Sequence, residues 1–308
     1  MNRQHLDYDV VIVGGGPAGL AGALTLGRGR KRVLLCDEGP PRNAAATHVH
    51  NFVTRDGTPP REFRAIAHGQ LERYPNVEIR AARVHAITGE RNQFGVQLSN
   101  GAATAHRILL CTGMIDEPPA WDGITALWGH SIFACPYCHG WEIRDRGFGC
   151  LVPDADAVAY AQLLRGWTSD VVAFTDARFT VTPEIADRLA RSGIQLEERP
   201  IVRLHGDGTM LTAVELEGGE RMARDALFLH PRQRQVDLVT TLGLALDSAG
   251  FVETDPEQRE TSRPGIYAAG DLIHPVQSAT GAAAAGAHAA ARINRELTIE
   301  LAESGMLD

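Results

Sequence analysis

The chain of 308 residues is long enough for two domains with real cores, and its 44% hydrophobic content belongs to a folded globular protein, not a disordered or fibrous one. A net charge of −8 from 30 basic and 38 acidic side chains argues against a nucleic-acid or membrane surface and for a small-molecule or protein substrate. No apolar run approaches the roughly 20 residues of a bilayer crossing, the polar stretch 1–9 has no secretory succession, and five cysteines set mostly in apolar runs suit a reducing compartment, so a cytoplasmic location is expected.

Residues 9–13 read as a buried strand, because Val10, Val11, Ile12 and Val13 form a continuous apolar run that stops at glycines. The next residues are Gly14-Gly15-Gly16-Pro17-Ala18-Gly19. Gly14 permits a tight turn, Gly16 lets backbone approach a pyrophosphate, and Gly19 lets the following helix pack on the strand. Pro17 and Ala18 open that helix, whose amides and dipole favour negative charge. A second strand over 33–36 ends at Asp37, placed to accept hydrogen bonds from an adenosine ribose. A glycine-rich turn without a ligand is the weaker reading, since strand, turn, helix and acid all stand in order.

Farther along, Cys135-Pro136-Tyr137-Cys138 puts two thiols at the spacing of a short-loop disulfide, with His139 and Gly140 directly after. Zinc would need four ligands, and Cys36, Cys111 and Cys150 stand singly, so no metal is expected. Residues 149–157 read Gly-Cys-Leu-Val-Pro-Asp-Ala-Asp-Ala, a strand leading to a helix with no glycine turn between them. The strand 171–174 ends in Thr175-Asp176-Ala177. Near the C-terminus a turn at 261–265 feeds a short apolar strand that ends in Gly270-Asp271. The helix over 280–292 is rich in Ala and Gly, so something packs closely against its start; a flavin ring would explain that, and packing of the helix on the sheet does not exclude it.

Residues 261–271 resemble the second FAD fingerprint of the two-dinucleotide-domain flavoproteins, which assigns the first site to FAD. The order of N-terminal fingerprint, central CxxC and terminal Gly-Asp resembles the low-molecular-weight thioredoxin reductase family over essentially the whole chain. Cys111-Thr112-Gly113 matches that family's return turn, His50-Asn51-Phe52 its flavin-facing Asn-Phe segment, and Gln277, with Ser278 beside it, the glutamine after Gly-Asp. The resemblance implies an α/β fold of two Rossmann-like dinucleotide-binding domains of three-layer ββα type. The FAD domain is expected over 1–116 and 233–308, and a CxxC-bearing domain over 117–232. Pro118-Pro119 and His230-Pro231 mark the crossings. A homodimer is implied as well.

In that family the inserted domain binds NADPH. Here Val152, Pro153 and Asp154 fall where its glycines would be, and Asp154 and Asp156 put negative charge where a pyrophosphate would lie. Thr175-Asp176-Ala177 replaces a basic run for the 2′-phosphate, leaving only an Asp176 that could serve NADH. The run Cys-Pro-Tyr-Cys-His-Gly-Trp-Glu at 135–142 narrows the resemblance to the FAD-dependent dithiol oxidases that close disulfides in natural products such as gliotoxin and holomycin. That implies electrons passing from a dithiol to FAD and dioxygen without a nicotinamide, with Cys138 nearer the flavin and Cys135 meeting substrate.

His139 stands where reductases carry an aspartate, and near its ordinary pKa of about 6.5 it would take and return a thiol proton; a packed structural histidine is the alternative. His48 and His50 are further candidates for proton transfer or simple loop residues. Tyr137 and Trp141 shape a substrate entrance or merely pack. The expected substrate is a small-molecule or peptidic dithiol, or a thioredoxin-like protein. The competing readings are a reductase of thioredoxin-like proteins fed by ferredoxin or a second flavin, and a redox sensor that holds FAD and turns nothing over.

Overall fold

Strand Tyr8–Val13 is buried on both faces, as its unbroken apolar run requires. Val10 and Ile12 point into one core with Ala18, Leu26 and Leu109, while Val11 and Val13 point into another with Leu34, Phe94 and Ile108. In the computed structural model, which describes residues 6–305, this strand pairs in parallel with Val33–Asp37 on one side and Gly101–Leu110 on the other. Val77–Ala81 adds in parallel beyond Val33–Asp37, and Ile266–Ala268 pairs in parallel with the end of Gly101–Leu110. Val84–Thr88 and Phe94–Leu98 continue the seven-stranded sheet as an antiparallel meander. Helices Pro17–Arg28 and Ala279–Glu303 cover one face; the meander and helix Asp237–Leu242 cover the other.

Residues 6–44, 58–115 and 233–305 make up this unit. Residues 45–57 and 116–232 make up a second. The segment 45–57, expected with the first unit, thus groups with the second, because its contacts are made there. Of the polar N-terminal stretch read for a targeting signal, residues 1–5 lie outside the described residues.

The second unit repeats the plan. Ile194–Glu197, Val171–Phe174, Phe148–Leu151, Ala226–Phe228 and Ile132–Phe133 form a five-stranded sheet with every pairing parallel. Alternate residues again feed two cores, Phe148, Cys150 and Ala173 into one and Leu151, Val172 and Phe174 into the other. Helices Val158–Leu164 and Pro183–Arg191 pack on the first face, and a three-stranded antiparallel sheet from Ile201 to Ala223 on the second. The chain is therefore α/β with two parallel-sheet, Rossmann-like units. No helix among the described residues is long and apolar enough to cross a membrane.

Candidate functional site

In the first unit the glycine turn has the geometry its spacing implies. Gly14 sits at φ 110°, and a Cβ there would lie 2.3 Å from the Cys111 carbonyl oxygen. A Cβ on Gly19 would lie 1.8 Å from the Gly14 carbonyl oxygen, so helix and turn touch backbone to backbone. Gly16 differs from both: nothing lies within 4 Å of its Cβ position. That open face is the cradle a pyrophosphate needs, at a helix start that carries Pro17 in its first turn.

Thr112 and Gly113 follow the neighbouring strand, and the Thr112 hydroxyl is buried with no hydrogen-bond partner among the described residues. A buried orphan hydroxyl costs free energy unless a further group completes it. Gly270 closes on the same helix start, its Cβ position 3.0 Å from the Ala18 methyl. The fold thus gathers Gly14, Gly16, Pro17, Ala18, Gly19, Thr112, Gly113, Gly270 and Asp271 at one end of the sheet. Cradle and orphan hydroxyl together fit a bound dinucleotide.

Several partners there escaped the sequence reading. The Asp37 carboxylate accepts from Arg64, which also donates to the Gly39 carbonyl at 2.6 Å. Arg42 donates to Asp271 at 2.9 Å and also to the Gln277 amide oxygen. Gln277 and Gln233 exchange side-chain hydrogen bonds at 2.9 and 3.0 Å. Ser278 is the N-cap of helix Ala279–Glu303, its hydroxyl accepting from the Gly281 amide at 3.0 Å. The Ala/Gly richness of that helix has a packing cause. A Cβ on Gly286 would lie 2.0 Å from the Ala18 carbonyl oxygen, so a close helix crossing requires the glycine at that position.

In the second unit Cys135 and Cys138 are joined as a disulfide, with Cα atoms 5.3 Å apart. Cys135 precedes the one-turn helix Pro136–His139 and its carbonyl accepts the Cys138 amide at 3.2 Å. Tyr137 and Trp141 remain 61% and 66% exposed beside the pair. Cys36, Cys111 and Cys150 are buried free thiols, each on or beside a strand.

His139 stacks on Phe133 with ring centroids 4.3 Å apart. Both its ring nitrogens are buried without a hydrogen-bond partner among the described residues. Burial pulls its pKa down to about 4, opposed by the Cys135 backbone and reinforced by His50. The expectation of an ordinary histidine pKa is thereby corrected: the ring is neutral at pH 7, and the burial that keeps it neutral also makes it a weaker proton acceptor than a solvated histidine. His50 belongs to the same unit, as do Asn51, at φ 61°, and Phe52. Asn51, expected among the first unit's cofactor residues, donates its amide to the Asp56 carboxylate at 2.7 Å.

The second sheet lacks the turn that the first one has. Val152 is fully buried in the core. The Asp154 carboxylate accepts the Ala157 amide at 2.9 Å, occupying a donor at the start of the next helix. Asp176 is committed too, accepting from the Ile201 amide at 2.6 Å and from Arg178 at 2.9 Å.

The family model described as pyridine nucleotide-disulphide oxidoreductase matches residues 8–286. Thioredoxin reductase sirT of Leptosphaeria maculans is 30% identical over 93% of this chain and 93% of its own length. The crystal structure of an oxidoreductase from Agrobacterium tumefaciens superposes with a TM-score of 0.90 at 35% identity, covering 96% of this chain and 99% of that one. The crystal structure of HlmI does so with a TM-score of 0.90 at 33% identity, covering 99% and 96%. Such relatives imply a flavin cofactor, which the open Gly16 cradle and the Thr112 hydroxyl fit. The chain belongs to the pyridine nucleotide-disulphide oxidoreductase family, as a thioredoxin reductase-like disulfide oxidoreductase.

Proposed function

We propose that this enzyme oxidises a substrate dithiol to a disulfide through Cys135 and Cys138, with FAD as its flavin, dioxygen as the final acceptor and no use of NADPH. The observation that carries the reading is the second sheet's loop, where Val152 fills core and Asp154 spends its carboxylate on the Ala157 amide. A phosphate arriving there would meet a carboxylate in place of free amides.

Chemistry at the pair follows thiol–disulfide exchange. One substrate thiolate attacks the Cys135 sulfur, forming a mixed disulfide and releasing Cys138 as a thiolate. The second substrate thiolate then attacks the substrate sulfur of that mixed disulfide, closing the product and releasing Cys135. The substrate loses two electrons and two protons, and the cysteine pair gains them. His139 takes the thiol proton only in passing, because burial lowers its proton affinity, and hands it on to the released cysteine thiolate. A bound FAD supplies the two-electron oxidation that restores the disulfide, with dioxygen taking those electrons as hydrogen peroxide.

Gly16 would lie against the pyrophosphate, on the turn that Gly14 and Gly19 close, with Asp37 at the adenosine ribose and Thr112, Asp271 and Gln277 at the flavin end. We place the enzyme in the cytoplasm as a homodimer acting on a small-molecule or peptidic dithiol.

The test is anaerobic. The yellow protein is mixed in turn with NADPH, NADH and dithiothreitol while flavin absorbance is followed. Bleaching by dithiothreitol with none by micromolar NADPH is expected, followed by rapid recovery and peroxide on admitting oxygen. Bleaching by micromolar NADPH overturns the reading, and a reduced flavin that oxygen reoxidises slowly favours a reductase fed by another donor.

A further inference from the structure

We infer that Arg42 retains the cofactor: it latches the segment 38–44 along the dinucleotide site and supplies the positive charge that lets Asp271 stand beside a pyrophosphate. This rests on the FAD reading of that site and adds a residue that neither fingerprint contains.

Two carboxylates flank the glycine turn. A Cβ on Gly15 would lie 2.6 Å from the Asp37 carboxylate, so that side chain folds over the turn. Asp271 follows Gly270, whose Cβ position is 3.0 Å from the Ala18 methyl at the helix start. A pyrophosphate brought to this turn adds negative charge to negative charge. Water screens the repulsion weakly, because the Asp37 and Asp271 side chains are 16% and 24% exposed. Each acid has an arginine against it: Arg64 pairs with Asp37, and Arg42 pairs with Asp271 at 2.9 Å.

The same two arginines anchor one stretch of chain. Segment 38–44 leaves strand Val33–Asp37 at the adenosine end. It bends at Gly39, φ 131°, whose carbonyl accepts from Arg64 at 2.6 Å. Pro40 and Pro41 stiffen it, since their φ is fixed and they have no amide to satisfy. The Pro41 carbonyl then accepts the Ala44 amide at 2.9 Å. Arg42 rides on that short turn and reaches the flavin end, donating to Asp271 and to the Gln277 amide oxygen. Gln277 is itself held, donating to the Asp271 carbonyl at 3.2 Å and to Gln233 at 3.0 Å. The strap therefore runs from the acid for the ribose to the residues for the flavin, and cofactor release opens its Arg42 end.

Arg83 also touches the strap, through Glu38, but those side chains are 62% and 54% exposed. An ion pair so open to water holds little, whereas the Arg42 pair is shielded and makes charge-assisted hydrogen bonds to two residues.

The experiment measures FAD loss from the holoenzyme, collecting free flavin by rapid ultrafiltration after dilution. Arg42→Gln should lose FAD about 10- to 100-fold faster than the native enzyme, the worth of charge-assisted hydrogen bonds. Arg42→Lys, which keeps the charge but not the fork, should fall between the two. Arg83→Gln should match the native enzyme. Stripped of flavin, Arg42→Gln should melt close to the stripped native protein, whereas the loaded proteins should separate. An Arg42→Gln enzyme that keeps FAD as the native one does overturns the latch. So does a stripped Arg42→Gln protein destabilised as much as the loaded one, since the arginine would then serve the fold alone. A lysine variant as leaky as the glutamine one overturns the role of the charge. If the native protein neither carries nor takes up FAD, it is the FAD reading that falls.

Discussion

The Asp154 carboxylate accepts the Ala157 amide at 2.9 Å, in the second sheet's counterpart of the turn where Gly16 leaves open space in the first. One sheet end offers its amides to a ligand, and the other satisfies them from its own loop. Replacing Val152, Pro153 and Asp154 by glycine should therefore not create NADPH bleaching, since Asp176 stays committed to Ile201 and Arg178. It should also cost at least about 2 kcal/mol, because the fully buried Val152 side chain is lost from the core. Urea denaturation reads the cost and anaerobic absorbance reads the bleaching.

Cys138→Ser should abolish dithiol turnover while the protein remains yellow, because the serine hydroxyl cannot re-form the Cys135–Cys138 disulfide. Turnover at the native rate would remove the pair from the reaction.

His139→Ala should slow dithiol oxidation by about 10²- to 10⁴-fold. Its burial has a separate consequence for stability. The unfolded ring protonates near about 6.5, whereas burial takes the folded one down to about 4. Unfolded chains thus bind the extra proton between those values, and stability falls as pH drops through that window. His139→Leu should flatten this decline in urea midpoints, leaving the smaller slope of His68 and His230, whose pKa values burial also lowers. An unchanged slope would mean that His139 is solvated.

Gly16→Ala and Gly19→Ala should part company. Nothing lies within 4 Å of the Gly16 Cβ position, so the flavin-free protein should lose no more than about 0.5 kcal/mol while flavin affinity falls. At Gly19 the Gly14 carbonyl is 1.8 Å away, and overpacking should cost about 1–3 kcal/mol in the flavin-free protein as well. Thermal melts of the stripped proteins and flavin titrations separate the two effects.

Thr112→Val should move stability and affinity in opposite directions. Replacing a buried hydroxyl that lacks a partner removes a cost of about 1–3 kcal/mol from the flavin-free protein. The same change should weaken flavin retention if the hydroxyl serves the cofactor. Weaker retention without the stability gain would mean that the hydroxyl has a protein partner.

Much of this protein was legible in the residues themselves, because the signals are local. The run Val10 to Val13 gave a strand buried on both faces, the Gly14–Gly19 spacing gave a turn whose close approaches only glycine permits, and the CxxC spacing allowed the disulfide. The filled positions at Val152 to Asp154 were visible for the same reason. What lay beyond reach was every pairing made by topology: Arg42 meets Asp271 across 229 positions of chain, and Arg64, on helix Pro60–Leu71, reaches Asp37 at the end of a strand. The grouping of 45–57 with the second unit was equally hidden, since that segment's partners come from far along the chain. Burial decided the rest. The CxxC neighbour looked like an ordinary titrating histidine, and only its packing on Phe133, away from water, determined that it stays neutral. Spacing fixes what a few consecutive residues can do; desolvation and distant charges, which set proton affinity, exist only once the chain has folded.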